Sequence, residues 1–258
     1  MKRIHLFEVE DFNWFPNWIR IRLTRLVKLM HRIVKTEDKL IQILEPLILE
    51  GKHNSITDLC SGSGGPMVNV LEKLKKDSKF KNLKLTLTDL YPNLEMVKQF
   101  KTNPSINYSS ESVDVTKVNE DFKGLKTMIC SFHHMKPEHA KEILKSAKEN
   151  KDTICIYEIS DNSFPSVLNI FTFFFNFINC FFITPFVRPM SWQQLVFTYI
   201  IPILPIGFAW DGAVSNARTY TLSDLDELLN GLKGDSYYWE KGVIKGTIPS
   251  IYLIGKPI

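Results

Sequence analysis

From Asn54 onward, short runs of closely spaced apolar residues alternate with segments whose apolar residues recur at helical spacing. Asn54 to Leu59 reads as a strand that ends in a glycine-rich turn, Cys60-Ser61-Gly62-Ser63-Gly64-Gly65. The helix behind it sets Val68, Leu71 and Leu74 on one face. Lys84 to Asp89 alternates apolar and polar and ends in an acid, as a second strand would, and Asn93 to Phe100 reads as the helix after it. Ile106 to Ser110 and Lys126 to Ser131 are the third and fourth strands. Pro137 then opens a helix carrying Ala140, Ile143, Leu144 and Ala147 at i, i+3, i+4 and i+7. Thr153 to Ile159 is the fifth strand. Thr221-Leu-Ser-Asp224 is a capping box opening a helix through Leu232, and strands at Tyr237 to Ile244 and Ser250 to Gly255 close the pattern. Strands alternating with helices predict an α/β fold with a mostly parallel sheet of seven strands and helices on both faces.

Two regions stand outside this alternation. Phe12 to Leu49 reads as two helices, an N-terminal helical extension within residues 1–52. A Phe-rich insertion follows the fifth strand, about residues 160–217. With no repeat, linker or low-complexity stretch, residues 1–258 form one domain.

Composition adds exclusions. A net charge of +4 is too mild to make nucleic acid the main partner. The dense basic run is Arg20, Arg22, Arg25, Lys28, Arg32 and Lys35, with no acid among them. Four cysteines at 60, 130, 155 and 180 have neither CxxC nor metal-ligand spacing, so free thiols, no metal and a reduced cytoplasmic compartment are expected. Met1 to Asp11 lacks an apolar core of signal-peptide length, which argues against secretion.

A nucleoside cofactor at the carboxyl edge of such a sheet needs a glycine turn that admits it, an acid for the ribose diol and a group for the base. Gly62 and Gly64, then Asp89, then Asp114-Val115 supply these in order. Each is weak alone, and their order and spacing carry the inference. Neither the dinucleotide fingerprint GxGxxG nor a GxxxxGK[ST] phosphate loop is present.

Ile56-Thr57-Asp58-Leu59-Cys60-Ser61-Gly62-Ser63-Gly64 resembles motif I of class I methyltransferases, with one departure: Cys60 stands where that family usually has its first glycine. The resemblance implies a Rossmann-like, mostly parallel sheet with an antiparallel last strand, and S-adenosylmethionine as cofactor. It gives Asp58 the turn and the amino acid end, and Cys60, Ser61, Gly62 and Gly64 the close backbone approach. Asp89 with Leu90 would take the ribose, Asp114 and Val115 the adenine, and Ser131 and Phe132 the floor near the methyl. A narrower resemblance joins a bacterial subgroup through Trp14-Phe15-Pro16, Phe132-His133-His134 and Thr198-Tyr199, continuing through Pro202, Pro205, Asp211-Gly212, Val214-Ser215, Arg218 and Tyr220-Thr221. It implies a reaction type and no particular acceptor.

Methyl transfer from a sulfonium is an in-line displacement, in which holding the reactants together supplies most of the catalysis. A general base adds roughly 10² to 10⁴ when the acceptor is a hydroxyl. His133 and His134, at the end of the fourth strand, are the candidate catalytic bases, with packing as their bland alternative. Glu158, Asp211 and Arg218 are weaker candidates, and the last two could instead form an ion pair tying the insertion to the sheet.

The insertion has no charge from Asn162 to Val187 or from Pro189 to Trp210. Length alone permits membrane spans of ~20 residues, but Pro185, Pro189, Pro202 and Pro205 interrupt it. Asn169, Thr172, Asn176 and Asn179 form a polar stripe that gives the Phe-rich helix one wettable face. The expectation is that Phe164 to Trp210 caps the methyl-transfer pocket over a small, lipophilic acceptor, or lies in a membrane interface, with burial against the sheet as the plain alternative. The basic residues interleaved with Trp18, Ile19, Leu23, Leu26, Met30 and Ile33 suit peripheral contact with an anionic membrane at its inner face, or a solvated helix. A non-catalytic cofactor-binding protein or membrane-surface scaffold is the competing function.

Overall fold

The computed structural model describes residues 1, 3–12, 14–118, 122–160, 162, 169–246 and 248–258. Residues 164–168 of the expected lid, and the side chain of Asn169, lie outside the described residues.

The strands are β1 (Ser55–Leu59), β2 (Lys84–Asp89), β3 (Ile106–Ser112), β4 (Leu125–Ile129), β5 (Ile154–Glu158), β6 (Tyr237–Ile244) and β7 (Ser250–Pro257). They form one sheet in the order β3-β2-β1-β4-β5-β7-β6, with β7 antiparallel to both neighbours. The Rossmann-like, seven-stranded expectation holds. β3 runs past its expected end, its register with β2 shifting between Leu87 and Asp89.

The chain leaves β1 toward β3 and returns at β4, so strand order reverses between β1 and β4. Such a switch point opens a crevice at the carboxyl edge. The central strands are buried along nearly their whole length, as parallel strands covered on both faces must be.

Helices α1 (Asn17–Ile33) and α2 (Thr36–Glu50) form the N-terminal extension. α2 packs with α3 (Met67–Leu74) and α4 (Leu94–Phe100) on one face of the sheet. The opposite face carries α5 (Pro137–Glu149) and α9 (Leu222–Leu228), the latter opened by the expected capping box. The insertion holds α6 (Asn169–Ile183), α7 (Trp192–Tyr199) and α8 (Ile203–Arg218). These build a separate cluster with α1, in which Leu23, Leu26, Cys180, Val187 and Leu204 are buried. All four cysteines are free thiols.

Midway along α6 the polar stripe does not face water, while Thr172 and Asn179 on either side are half-buried. Asn176 is 8% exposed, whereas Phe171, Phe175 and Phe182 are 65%, 64% and 70% exposed. The stripe turns toward α8, where the Asn176 amide lies against Gly212 with no room for a Cβ there. The described part of the insertion therefore carries its wettable face inward and its aromatic face outward. No single helix among the described residues is long and apolar enough to cross a membrane, while α7 and α8 form a bent apolar pair at 78°.

Candidate active site

The turn after β1 is built by hydroxyls. Asp58 is buried, with Oδ1 accepting from Thr127 Oγ1 at 2.7 Å and Oδ2 from Ser61 Oγ at 2.8 Å. Thr127 is the cross-strand partner of Asp58, so β4 itself places that donor. Burial lifts the Asp58 carboxyl to about 7 against the lowering effect of the Thr127 and Ser61 hydroxyls, and the Asp89 charge adds to the rise. Ser61 N–H donates to Thr88 O at 2.9 Å, fastening the turn to β2. With both oxygens engaged inside the protein, Asp58 shapes the turn.

Cys60 has φ 58°, the left-handed region that glycine enters without strain. Holding a side chain there costs about 1–2 kcal/mol. The Cys60 departure therefore keeps the geometry of the usual glycine. At Gly62, φ is 53° and an added Cβ would meet no atom within 4 Å, so the turn opens into free space.

Asp89 closes the turn from β2. Its Oδ2 accepts from Gly62 N–H at 2.8 Å and its Oδ1 from Tyr91 N–H at 2.9 Å. Each oxygen keeps acceptor capacity for a further donor. Leu90 beside it is exposed, its carbonyl accepting from Ser112 Oγ at 2.7 Å. Tyr108 escaped the sequence reading: its Oη donates to Gly62 O at 2.7 Å and buttresses the turn from β3.

Asp114 is exposed and caps a 3-10 turn at Val115–Lys117, its Oδ1 accepting from Thr116 N–H and Oγ1. Those hydrogen bonds hold its carboxyl below the ordinary value. The Val115 side chain is buried, in the same core cluster as Leu59 and Phe132. Ser131 is buried, and its Oγ has no hydrogen-bond partner among the described residues. Phe132 lies in the core, 1% exposed, its ring 5.3 Å from that of Tyr220.

The two histidines, in a 3-10 turn after β4, differ in kind. His133 is buried, and Glu158 receives both its N–H at 3.0 Å and its Nδ1 at 2.8 Å. Its Nε2 lies 3.7 Å from Glu8 Oε1 without a hydrogen-bond partner among the described residues. Burial alone would favour the neutral ring, but Glu158 and Glu8 outweigh it and push His133 up to about 10. It is a cation at neutral pH, and Glu158 is consumed in holding it. The His134 side chain is 36% exposed, with Nδ1 3.1 Å from Arg218 Nη1 and 3.5 Å from Asp11 Oδ1.

Arg218 does not pair with Asp211. It donates through Nη1 to Glu8 Oε1 at 3.2 Å, through Nη2 to Asp11 Oδ2 at 2.6 Å and through Nε to Leu6 O at 2.7 Å. Asp211 instead accepts from Val9 N–H at 2.7 Å, and burial raises its carboxyl to about 8 despite that bond. The reason is the segment Arg3–Asp11, which crosses the carboxyl edge of β4 and β5 as a strap and brings its own acids. Ile4 N–H donates to Ala217 O at 2.9 Å, and Arg3 Nε to Arg218 O at 2.7 Å, its guanidinium stacked over Tyr220. Glu8 and Asp11 cap a 3-10 turn together, Glu8 N–H donating to Asp11 Oδ2 at 2.9 Å, but the sequence does not flag their charged partners, which lie more than 120 residues away. Ligand atoms of Glu8, His133 and His134 lie within 4.8 Å of one another. Arg218 supplies the positive charge that such a set otherwise asks of a cation.

Between the strap and the insertion lies an apolar cleft of about 350 Å³ lined by Ile4, Leu6, Ile170, Phe173, Trp210 and Val214. Its strap and its α8 wall also carry Glu8 and Arg218.

No protein-family model matches the chain, and no curated protein matches it. Among solved structures it is similar to the methyltransferase domain of bacterial CtHen1, with a TM-score of 0.51 and 13% identity over 86% of this chain and 97% of that one. It is also similar to the plantazolicin methyltransferase BpumL in complex with a triazolic desmethylPZN analog and SAH, with a TM-score of 0.52 and 12% identity over 93% and 98%. At these identities the likeness is one of architecture: the chain has the fold of a class I methyltransferase.

Proposed function

We propose that the chain is an S-adenosylmethionine-dependent methyltransferase acting on a small lipophilic acceptor. The observation that carries this reading is the Asp89–Gly62 contact at the switch point, a carboxylate at 2.8 Å from a turn that opens into free space. Asp89 keeps acceptor capacity for a ribose diol, and the unpartnered Ser131 hydroxyl lies where β4 meets the same edge. Asp114 and the Val115 backbone would border the base, and Cys60 to Gly64 the amino acid end. These residues fit the cofactor, whose sulfonium supplies an electrophilic methyl for in-line displacement.

The acceptor would enter the apolar cleft beneath the strap, whose lining offers almost no polar partner. Of the two histidines, His134 is placed for the base role. His133 already holds its proton against Glu158 and Glu8, and a base must start without one. His133 would serve as a fixed positive anchor between strap and sheet.

Titration calorimetry with S-adenosylhomocysteine on Asp89→Ala tests the cofactor assignment. Binding should weaken by about tenfold or more, roughly the 1.4 kcal/mol expected for a lost charge-assisted hydrogen bond. Undiminished binding in a folded variant would reject it.

A further inference from the structure

We propose that the outward face of α6, with the neighbouring ends of α1 and α7, seats the protein on an anionic lipid bilayer, aromatic side chains entering the acyl region. The inference rests on an inversion of polarity. Phe171, Phe174, Phe175, Ile178 and Phe182 recur at helical spacing along α6, and all are more than half exposed. With ~200 Å² per aromatic side chain, the four phenylalanines alone expose on the order of 500 Å², comparable to the largest patch on a typical soluble monomer (~300–600 Å²).

The polar groups of the same region point the other way. Asn176, Thr184, Gln194 and Thr198 are buried, and the two threonine hydroxyls face each other at 3.4 Å. A helix cluster folded for water alone would reverse this arrangement. Polar atoms meeting between helices while phenyl rings face outward is the pattern that lipid selects.

Charge identifies the surface. No acid occurs from Phe12 to Thr36 or from Asn162 to Trp210. These stretches carry Arg25 and the exposed Arg188, and Arg25 Nη1 donates to Pro189 O at 3.0 Å, tying the basic helix to the α6–α7 connection. Trp192 and Tyr199 are exposed on α7, and Trp18 packs on Phe197 at 4.6 Å, residue types that favour the bilayer interface. A twofold contact with a second copy would set cationic flanks against each other, whereas phospholipid headgroups neutralise them. Ile170, at the start of α6, is exposed and also lines the apolar cleft, so a lipid-dissolved acceptor could pass from bilayer to cleft along one helix.

Sedimentation of the full chain with vesicles, without cofactor or acceptor, tests docking separately from methyl transfer. Phosphatidylglycerol-containing vesicles should bind it, phosphatidylcholine vesicles much less, and high salt should weaken the difference. The triple variant Phe171→Ser, Phe175→Ser, Phe182→Ser should lose partitioning by about tenfold or more, with unchanged circular dichroism. Arg25→Glu with Arg188→Glu should lose the preference for anionic lipid. Absence of vesicle binding would overturn the proposal, as would a stable dimer that the triple variant dissociates. Neither result would bear on cofactor binding.

Discussion

Helices α5 and α6 have similar lengths and opposite surroundings. α5 turns Ala140, Ile143, Leu144 and Ala147 into the core and leaves its charged residues to water. α6 turns Asn176 inward and sends Phe171, Phe175 and Phe182 outward. Both are amphipathic, so periodicity alone describes them equally well. What separates them is the medium on the far side, and helical period is silent about that.

The contrast can be broken by mutation, and the largest effect belongs to α5. Leu144→Ala removes a fully buried side chain and should cost about 2–5 kcal/mol of stability in urea unfolding. A smaller loss would mean that α5 is not the water-facing reference it is taken for. A gain is expected within the insertion. Gln194 is 0% exposed, and neither its Oε1 nor its Nε2 has a hydrogen-bond partner among the described residues. Gln194→Met should therefore stabilise by about 1–3 kcal/mol, read as a raised Tm. The smallest effect falls on the outer face: Phe175→Ser should stay within about 0.5 kcal/mol in vesicle-free buffer. If it destabilised as Leu144→Ala does, the face would be covered by protein and the comparison would fail.

The sheet, its covering helices and the glycine turn were legible in the sequence because each is written in adjacent residues. The glycines after β1 and the acid ending β2 are local signals, and even Cys60 kept the left-handed backbone its position demands. The charge cluster was less legible. His133 and His134 could be singled out by their place after β4, but Glu158 gave no sign that it would occupy His133. Arg218 was read against Asp211, seven residues earlier and thus on the same helix, while Glu8 and Asp11 claimed it from more than 200 residues away. The polar stripe of α6 was visible and its orientation was not, since orientation belongs to packing against α8.

The strap also imposes an order of events during synthesis. Arg3 is made 215 residues ahead of the Arg218 carbonyl it will bind. At ordinary elongation rates that is a wait of roughly ten seconds or more. Until α8 has been made, Glu8 and Asp11 remain hydrated and His133 lacks one of the two carboxylates that flank it. A ribosome-bound chain can complete its glycine turn early, yet the strap closes over the sheet edge only when α8 meets it. The cleft beneath the strap is thereby assembled only after α8 has been made.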